Sequence, residues 1–140
     1  HHTIDVDNDD AVRRVREITN GRGADVVVAV SSYATEPIVQ SLDFVTFGGT
    51  VMLAGTKGFK AVPDFISDKV VMKEIRLQGA IGVTSSGYAN AIRLIEARST
   101  PIAQMHTHRF DLRDAELAIR TLAREIPGEE SIHSCLIPAP

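Results

Sequence analysis

The sequence predicts an α/β chain, a doubly wound and mainly parallel sheet flanked by helices. Three observations predict it. Segments with helical periodicity alternate with short strand-like runs, the signature of βαβ units. Two of those runs, Val26–Val30 and Val51–Ala54, are apolar without interruption, the pattern of strands covered on both faces. Gly and Pro punctuate the borders at Gly21, Gly23, Pro37, Gly48–Gly49, Gly55 and Pro63.

The elements follow in order. Thr3-Ile4-Asp5-Val6 alternates polar and apolar residues and reads as a short strand. Asn8 or Asp9 can cap the next helix by accepting a backbone N–H. Ala11, Val12, Val15 and Ile18 then share one helical face. Gly21 and Gly23 stop that helix, because glycine takes positive φ without a Cβ clash. Ala24–Val30 is the first buried strand. Pro37 suits the first turn of a helix, and Ile38, Val39, Leu42 and Val45 give that helix an apolar face until Gly48–Gly49 breaks it. Thr50–Ala54 is the second buried strand, ending at Gly55. A loop with Gly58 and Pro63 leads to a helical stretch from Phe65 to Lys73. Ile75–Ile81 is the third main strand, and its alternation predicts an edge position.

The last third continues the alternation. Ser85 or Ser86 opens a helix carrying Tyr88, Ala91, Ile92 and Ile95 at helical spacing, and Pro101 marks its end. His106–Phe110 reads as extended. Asp111 is the expected cap of a helix with Ala115, Ala118, Ile119 and Leu122 facing inward, stopped by Pro127-Gly128. Ile132–Ile137 reads as a closing strand ended by Pro138.

Composition bounds the function. The chain has 140 residues, 44% hydrophobic and 24% charged, enough apolar surface for one core and too much for wholesale disorder. No apolar run is long enough to span a bilayer, and no apolar leader follows His1-His2-Thr3. With 15 Lys+Arg against 18 Asp+Glu, the net charge is -3, and no basic stripe invites nucleic acid. One cysteine, Cys135, excludes an internal disulfide, predicts no Cys-built zinc site within one chain, and fits a cytoplasmic setting.

The tempting motifs fail on context. Gly21-Arg22-Gly23 imitates the start of a dinucleotide fingerprint. That fingerprint lies between a strand and a following helix, whereas here a helix precedes and the third glycine position is Val26. Gly55-Thr56-Lys57-Gly58 lacks the order of a P-loop. No G-x-S-x-G elbow exists, and Ser85-Ser86-Gly87 reads as a helix cap. His106 and His108 share a strand face at period two, but two imidazoles without a nearby Cys or acid make a poor metal site; they read as partly exposed polar residues. Cys135 reads as a small core residue within an apolar strand. Asp9-Asp10 and Glu129-Glu130 read as solvated. No catalytic constellation and no metal site is expected from the residues themselves. In open parallel sheets ligands sit outside the carboxyl ends of the strands, here Ser31-Ser32-Tyr33, Ala54-Gly55-Thr56 and Ala80-Ile81-Gly82. Whether these small residues receive a ligand or merely form tight turns is left open by the pattern.

Several stretches, taken in order, resemble one family. Ile18-Thr19 through Gly21, Gly23 and Ala24-Asp25-Val26-Val27 is one. Gly48-Gly49-Thr50-Val51-Met52-Leu53-Ala54-Gly55 and Gly79-Ala80-Ile81-Gly82 follow. Thr107-His108-Arg109-Phe110-Asp111-Leu112 with Ala115 and Ala118, and Ser131-Ile132-His133, complete the set. Together they resemble the C-terminal part of the medium-chain dehydrogenase/reductase family, which includes the zinc-containing alcohol dehydrogenases. The resemblance implies part of a Rossmann sheet of order 3-2-1-4-5-6. Thr3–Val6 would be its third strand, and Val26–Val30, Val51–Ala54 and Ile75–Ala80 its fourth, fifth and sixth. It implies a C-terminal half of the cofactor domain over residues 1–100, and over 101–140 a segment that in the family returns to the catalytic domain. The chain reads as a fragment. The first two strands, the glycine fingerprint and the N-terminal domain with its zinc ligands have no counterpart in it.

By resemblance the cofactor is NAD or NADP. Ser31, Ser32 and Tyr33 would stand near its adenosine half, Ala54, Gly55 and Thr56 beside the nicotinamide, and Ala80 and Gly82 at the carboxamide. His133 occupies a position often basic and near the pyrophosphate. Zinc would belong to the full-length parent and not to this chain. The implied chemistry is hydride transfer between an alcohol or carbonyl compound and nicotinamide, with the chain inactive alone. A zinc-free quinone reductase of the same family is one alternative. A non-catalytic nucleotide-binding or assembly module is another. The family pairs its last strand across a two-fold axis, which implies a homodimer through Ile75–Ile81. The opposite edge, on Val26–Val30, would be covered by Thr3–Val6 or by another copy.

Overall fold

The computed structural model describes residues 1–138. Two compact units divide between Gly82 and Val83.

The first unit runs α1 (Ala11–Ile18), β1 (Ala24–Ala29), α2 (Glu36–Phe44), β2 (Val45–Leu53), α3 (Ser67–Met72) and β3 (Arg76–Gly79). The strands form one parallel sheet in the order β1-β2-β3, as expected for the fourth, fifth and sixth strands of the family sheet. The core is Leu42, Val45, Val51 and Ile75, with Val27, Leu53 and Val70 packed against it. α2 supplies Leu42 and packs against both β1 and β2.

Local chemistry explains the borders. Asp10 caps α1 through its carboxylate, which accepts the N–H of Arg13 at 3.0 Å; the expected caps Asn8 and Asp9 lie too early by one or two residues. Thr19 closes the helix, and its hydroxyl donates to Val15 C=O and accepts from Gly23 N–H. Gly23 has φ +89°, and a Cβ there would stand 2.6 Å from Phe44 O. It is a helix stop and a point of close backbone approach, as its context requires.

Several expectations are corrected. Thr3–Val6 forms no strand, because four alternating residues without a pairing partner lack ladder hydrogen bonds. It therefore leaves the β1 edge uncovered. β1 is not covered on both faces, since Val26 and Val28 are more than half exposed. Val45 belongs to β2 and not to the helix. Gly48-Gly49 sits inside β2, where five steps of β2 stand against two of β1 and the register shifts.

The second unit holds α4 (Ser85–Glu96), a 3₁₀ turn (Ile102–Met105), β4 (His108–Asp111), a second 3₁₀ turn (Leu112–Asp114), α5 (Ala115–Leu122) and β5 (Ser134–Ile137). Thr84, one residue before the two expected serines, caps α4 by accepting from Gly87 N–H. The helix ends at Glu96, well before Pro101. Asp111 caps the 3₁₀ turn rather than α5 directly. β4 and β5 are parallel, with His108 opposite Ser134 and Arg109 opposite Cys135. α5 makes the crossover that a parallel pair requires. It buries Ala118 and Thr121, while Ile119 and Leu122, expected inside, stand mostly exposed. No described helix is long and apolar enough to cross a membrane.

Candidate functional site

The carboxyl ends of β1, β2 and β3 lie together at one end of the first unit's sheet, because all three strands run parallel and in register. Eight of the nine candidate residues, Ser31, Ser32, Tyr33, Ala54, Gly55, Thr56, Ala80 and Gly82, follow directly on these ends.

Backbone bonds tie the tips to one another. Ala54 N–H and Gly55 N–H both donate to Ala29 C=O at 3.0 Å, and Ala80 N–H donates to Leu53 C=O at 3.0 Å. Tyr33 N–H crosses from the β1 tip to Thr56 C=O at 3.1 Å. Gly55 has a purely spatial requirement. A Cβ there would collide with the Ser31 and Val30 carbonyls, the latter at 2.6 Å. Gly82 differs: its φ is +70°, with open space where a Cβ would be, so it serves a turn that leaves the backbone accessible.

Lys57 is the residue that sequence reasoning missed. It is almost fully buried, and its ammonium donates to Ser31 C=O and to Ser31 Oγ, the latter at 3.1 Å. A buried ammonium needs acceptors, and Ser31 provides two, so Lys57 pins the first tip to the second. Tyr33 sits at φ +63°, an uncommon conformation for a non-glycine residue. Its ring flanks Gly58, where a Cβ would meet it at 3.4 Å, and lies under Lys60, whose Nζ is 5.9 Å from the ring centroid. The ring is two-thirds exposed. The tips therefore present an exposed aromatic face, hydroxyls at Ser31, Ser32 and Thr56, and a nearby cation at Lys60.

The family's zinc has no ligands at these tips. Residues 31–33, 54–56 and 80–82 hold no imidazole, thiolate or carboxylate, so no metal-assisted step can be built on them.

A cavity of about 390 Å³ opens at the opposite end of the sheet, lined by Arg16, Gly23, Asp43, Lys69 and Lys73 among others. Its cations are committed. Lys73 donates to Leu42 C=O at 2.7 Å, Arg16 reaches Asp43 C=O at 3.4 Å, and Lys69 pairs with the Asp43 carboxylate at 2.6 Å. They satisfy the last carbonyls of α2, where cations also favour the helix dipole. Burial pushes the Lys73 ammonium pKa down, opposed by Asp43.

His133, the ninth candidate, belongs to the second unit, just before β5. Its Nδ1 is 3.3 Å from His106 Nδ1 and 4.0 Å from Cys135 Sγ, and Cys135 Sγ is 3.5 Å from His106 Nδ1. This corrects two expectations. Cys135 is half-buried beside two imidazoles and is not a core residue. His106 turns toward His133 and Cys135, while His108 bonds Glu129 at 3.0 Å and stacks on Phe110, so the two histidines of the 106–108 pair serve different neighbours. Glu129, expected to be solvated, is that acid partner.

Known proteins resemble the chain along nearly its whole length. A family model described as zinc-binding dehydrogenase matches residues 1–97. A probable alcohol dehydrogenase of Mycobacterium tuberculosis is 38% identical over 136 residues, 96% of this chain and 37% of the relative. An erythritol/L-threitol dehydrogenase of Mycolicibacterium smegmatis is 30% identical over 139 residues, 98% of this chain and 36% of the relative. The chain thus spans little more than a third of these relatives' lengths. Among solved structures, an alcohol dehydrogenase from a Thermus species matches with a TM-score of 0.81 at 20% identity, over 97% of this chain and 38% of that one. An Escherichia coli oxidoreductase/dehydrogenase of unknown specificity gives 0.83 at 21% identity, over 98% and 38%. At such identities the structural likeness speaks for the fold, and the family model and the curated relatives speak for descent. The chain belongs to the zinc-binding dehydrogenase family, within the medium-chain dehydrogenases/reductases.

Proposed function

We propose that the chain supplies one half of the nicotinamide-cofactor cradle of an NAD(P)-dependent alcohol dehydrogenase. Residues 1–100 would be cofactor-domain sequence and 101–140 the segment returning to the catalytic domain; its last two residues lie outside the described ones. The observation that carries this reading is the set of parallel strand tips held together by Lys57, by the Tyr33–Thr56 bond and by Gly55, whose missing Cβ lets the tips close on one another. Tyr33 offers a flat apolar face to an adenine ring, and Lys60 beside it a cation to a phosphate. Ser31 and Ser32 offer hydroxyls to a ribose. Thr56 and the backbone at Ala80 and Gly82 offer hydrogen-bond partners to a carboxamide. The cofactor, when bound, supplies the hydride donor or acceptor. This chain's residues bind and orient it, and none of them is placed in proton transfer.

Partial contact of this kind means weak affinity. The test is titration of the isotope-labelled chain with NADH and NADPH by amide chemical shifts. Expected are small changes confined to residues 31–33, 54–60 and 80–82, with no alcohol turnover. Changes centred on Arg16, Lys69 and Lys73 instead, or none at any cofactor concentration, would refute the reading.

We also propose a homodimer through β3. That strand has one neighbour, β2, and its four residues are exposed. An edge with unpaired N–H and C=O groups is a template for pairing. Light scattering should give twice the chain mass; a strict monomer at all concentrations would count against it.

A further inference from the structure

We propose that His106, His133 and Cys135 form a binding site for a divalent, borderline-soft cation, with Zn²⁺ the first candidate. It uses none of the strand-tip residues and does not rest on the cofactor reading. Among the described residues these three donor atoms form a cluster within 4.8 Å.

The distances carry the proposal. Zinc bonds of about 2.0–2.1 Å to imidazole nitrogen and about 2.3 Å to thiolate sulfur, at tetrahedral angles, set N···N near 3.3–3.4 Å and N···S near 3.6 Å. The cluster has N···N at 3.3 Å and N···S at 3.5 and 4.0 Å. Three edges of a coordination tetrahedron are therefore present within a few tenths of an ångström, and a fourth position is left for water or another ligand. Two imidazoles and one thiolate suit zinc and exclude Mg²⁺ or Ca²⁺, which prefer oxygen.

The fold explains the convergence. His133 and Cys135 are two apart on an extended segment and so share a face. Thr107 fixes that segment beside His106: its hydroxyl oxygen accepts from Ile132 N–H at 3.0 Å and His133 N–H at 3.3 Å, and the N–H groups of Thr107 and His108 both donate to His133 C=O at 3.2 Å. The site would thus clamp the start of β5 to the approach to β4.

Arg109 Nε donates to His106 Nε2 at 3.0 Å, which puts the neutral ring's proton on Nδ1. Metal binding moves that proton to Nε2, releases Arg109 into solvent, where it is already exposed, and discharges the Cys135 thiol proton to water. Arg109 thus opposes metal loading by its hydrogen bond and by its charge.

The experiment is Co²⁺ titration of the 140-residue chain, read by absorption and reversed with Zn²⁺. Expected is a thiolate-to-cobalt charge-transfer band with the visible bands of a four-coordinate site, at one ion per chain. Cys135 is the sole cysteine, so the thiolate band reports this site alone. His1→Ala/His2→Ala should keep the band, excluding the N-terminal imidazoles. Cys135→Ser should abolish it, His133→Asn should weaken binding by at least about tenfold, and Arg109→Ala should tighten it. If a variant fails to fold by circular dichroism, zinc protection of the unmutated Cys135 from alkylation decides. No thiolate band with cobalt in excess, a band that survives Cys135→Ser, or alkylation unaffected by zinc would each overturn the proposal.

Discussion

Replacing Gly55 by alanine tests the packing of the strand tips directly. The new Cβ would stand 2.6 Å from Val30 O and 2.7 Å from Val30 C, and would overlap Ser31 O. All three are backbone atoms of the neighbouring tip and cannot rotate aside. Restoring ordinary contact at 3.4 Å with Val30 O requires the tips to part by about 0.8 Å, and Ser31 O, nearer still, requires more. That movement stretches the two bonds from Ala54 and Gly55 to Ala29 C=O, both 3.0 Å at rest. Overpacking of this kind costs roughly 1–3 kcal/mol, and one weakened hydrogen bond adds about 1 kcal/mol. A total near 2–4 kcal/mol lowers the melting temperature of a unit this size by roughly 10–30 °C. Calorimetry measures the shift, and amide exchange at Ala54 and Gly55 should accelerate with it. Gly79→Ala is the control, since its Cβ would meet nothing within 4 Å; its effect should stay within about 0.5 kcal/mol. If Gly55→Ala melts with the unaltered chain and exchanges no faster, the tips are not packed as described.

Leu42 is fully buried among Val45, Val51 and Ile75, so Leu42→Ala should cost about 2–5 kcal/mol in urea denaturation. Lys57→Met keeps the apolar stem but removes both bonds to Ser31; it should cost about 1.5–3 kcal/mol and broaden the amide signals of residues 31–33. Acid should destabilise the chain. Arg14 and Arg13 hold the Glu17 carboxyl below its usual range, as Arg22 does for Asp25 and Arg113 for Asp111. Because the folded state favours the ionised forms, their contribution is complete above about pH 5 and is lost as pH falls through the lowered values. The melting temperature should drop on acidification below that point, less steeply in Glu17→Gln and at high salt, since these pairs are exposed; a rise would contradict the sign.

Most of the first unit was legible because its signals are local. β-Branched runs, Pro37 and the Gly21–Gly23 pair each act within a few residues of where they stand. The errors arise where one residue satisfies two periodicities. Val45 continues the apolar face of α2 and also opens β2, and no loop residue separates them; burial at 2% exposure in the sheet core decides for the strand. Thr3–Val6 has the alternation of a strand, but alternation without a partner supplies no ladder. Lys57 carried no signal, because a lysine after Gly-Thr resembles any exposed loop residue until Ser31 is placed beside it. The His106–His133–Cys135 cluster was illegible for a related reason. Its members are brought together across 27 and 29 residues by the parallel register of β4 and β5, which no local pattern encodes.

The two ends of the first unit's sheet use lysine to opposite effect, and this bears on where a ligand can enter. At the amino end, Arg16, Lys69 and Lys73 face the last carbonyls and the carboxylate of α2. An anion entering that cavity would have to compete with acceptors already in contact, and releasing Lys73 would take from Leu42 C=O its side-chain donor. At the carboxyl end, Lys57 is turned inward on Ser31, so its charge serves the shape of the tips. The neighbouring Lys60 stays over the exposed Tyr33 ring with no protein acceptor needed to hold it there. The larger concentration of positive charge is thus structural, which leaves the strand tips as the end proposed above for the cofactor.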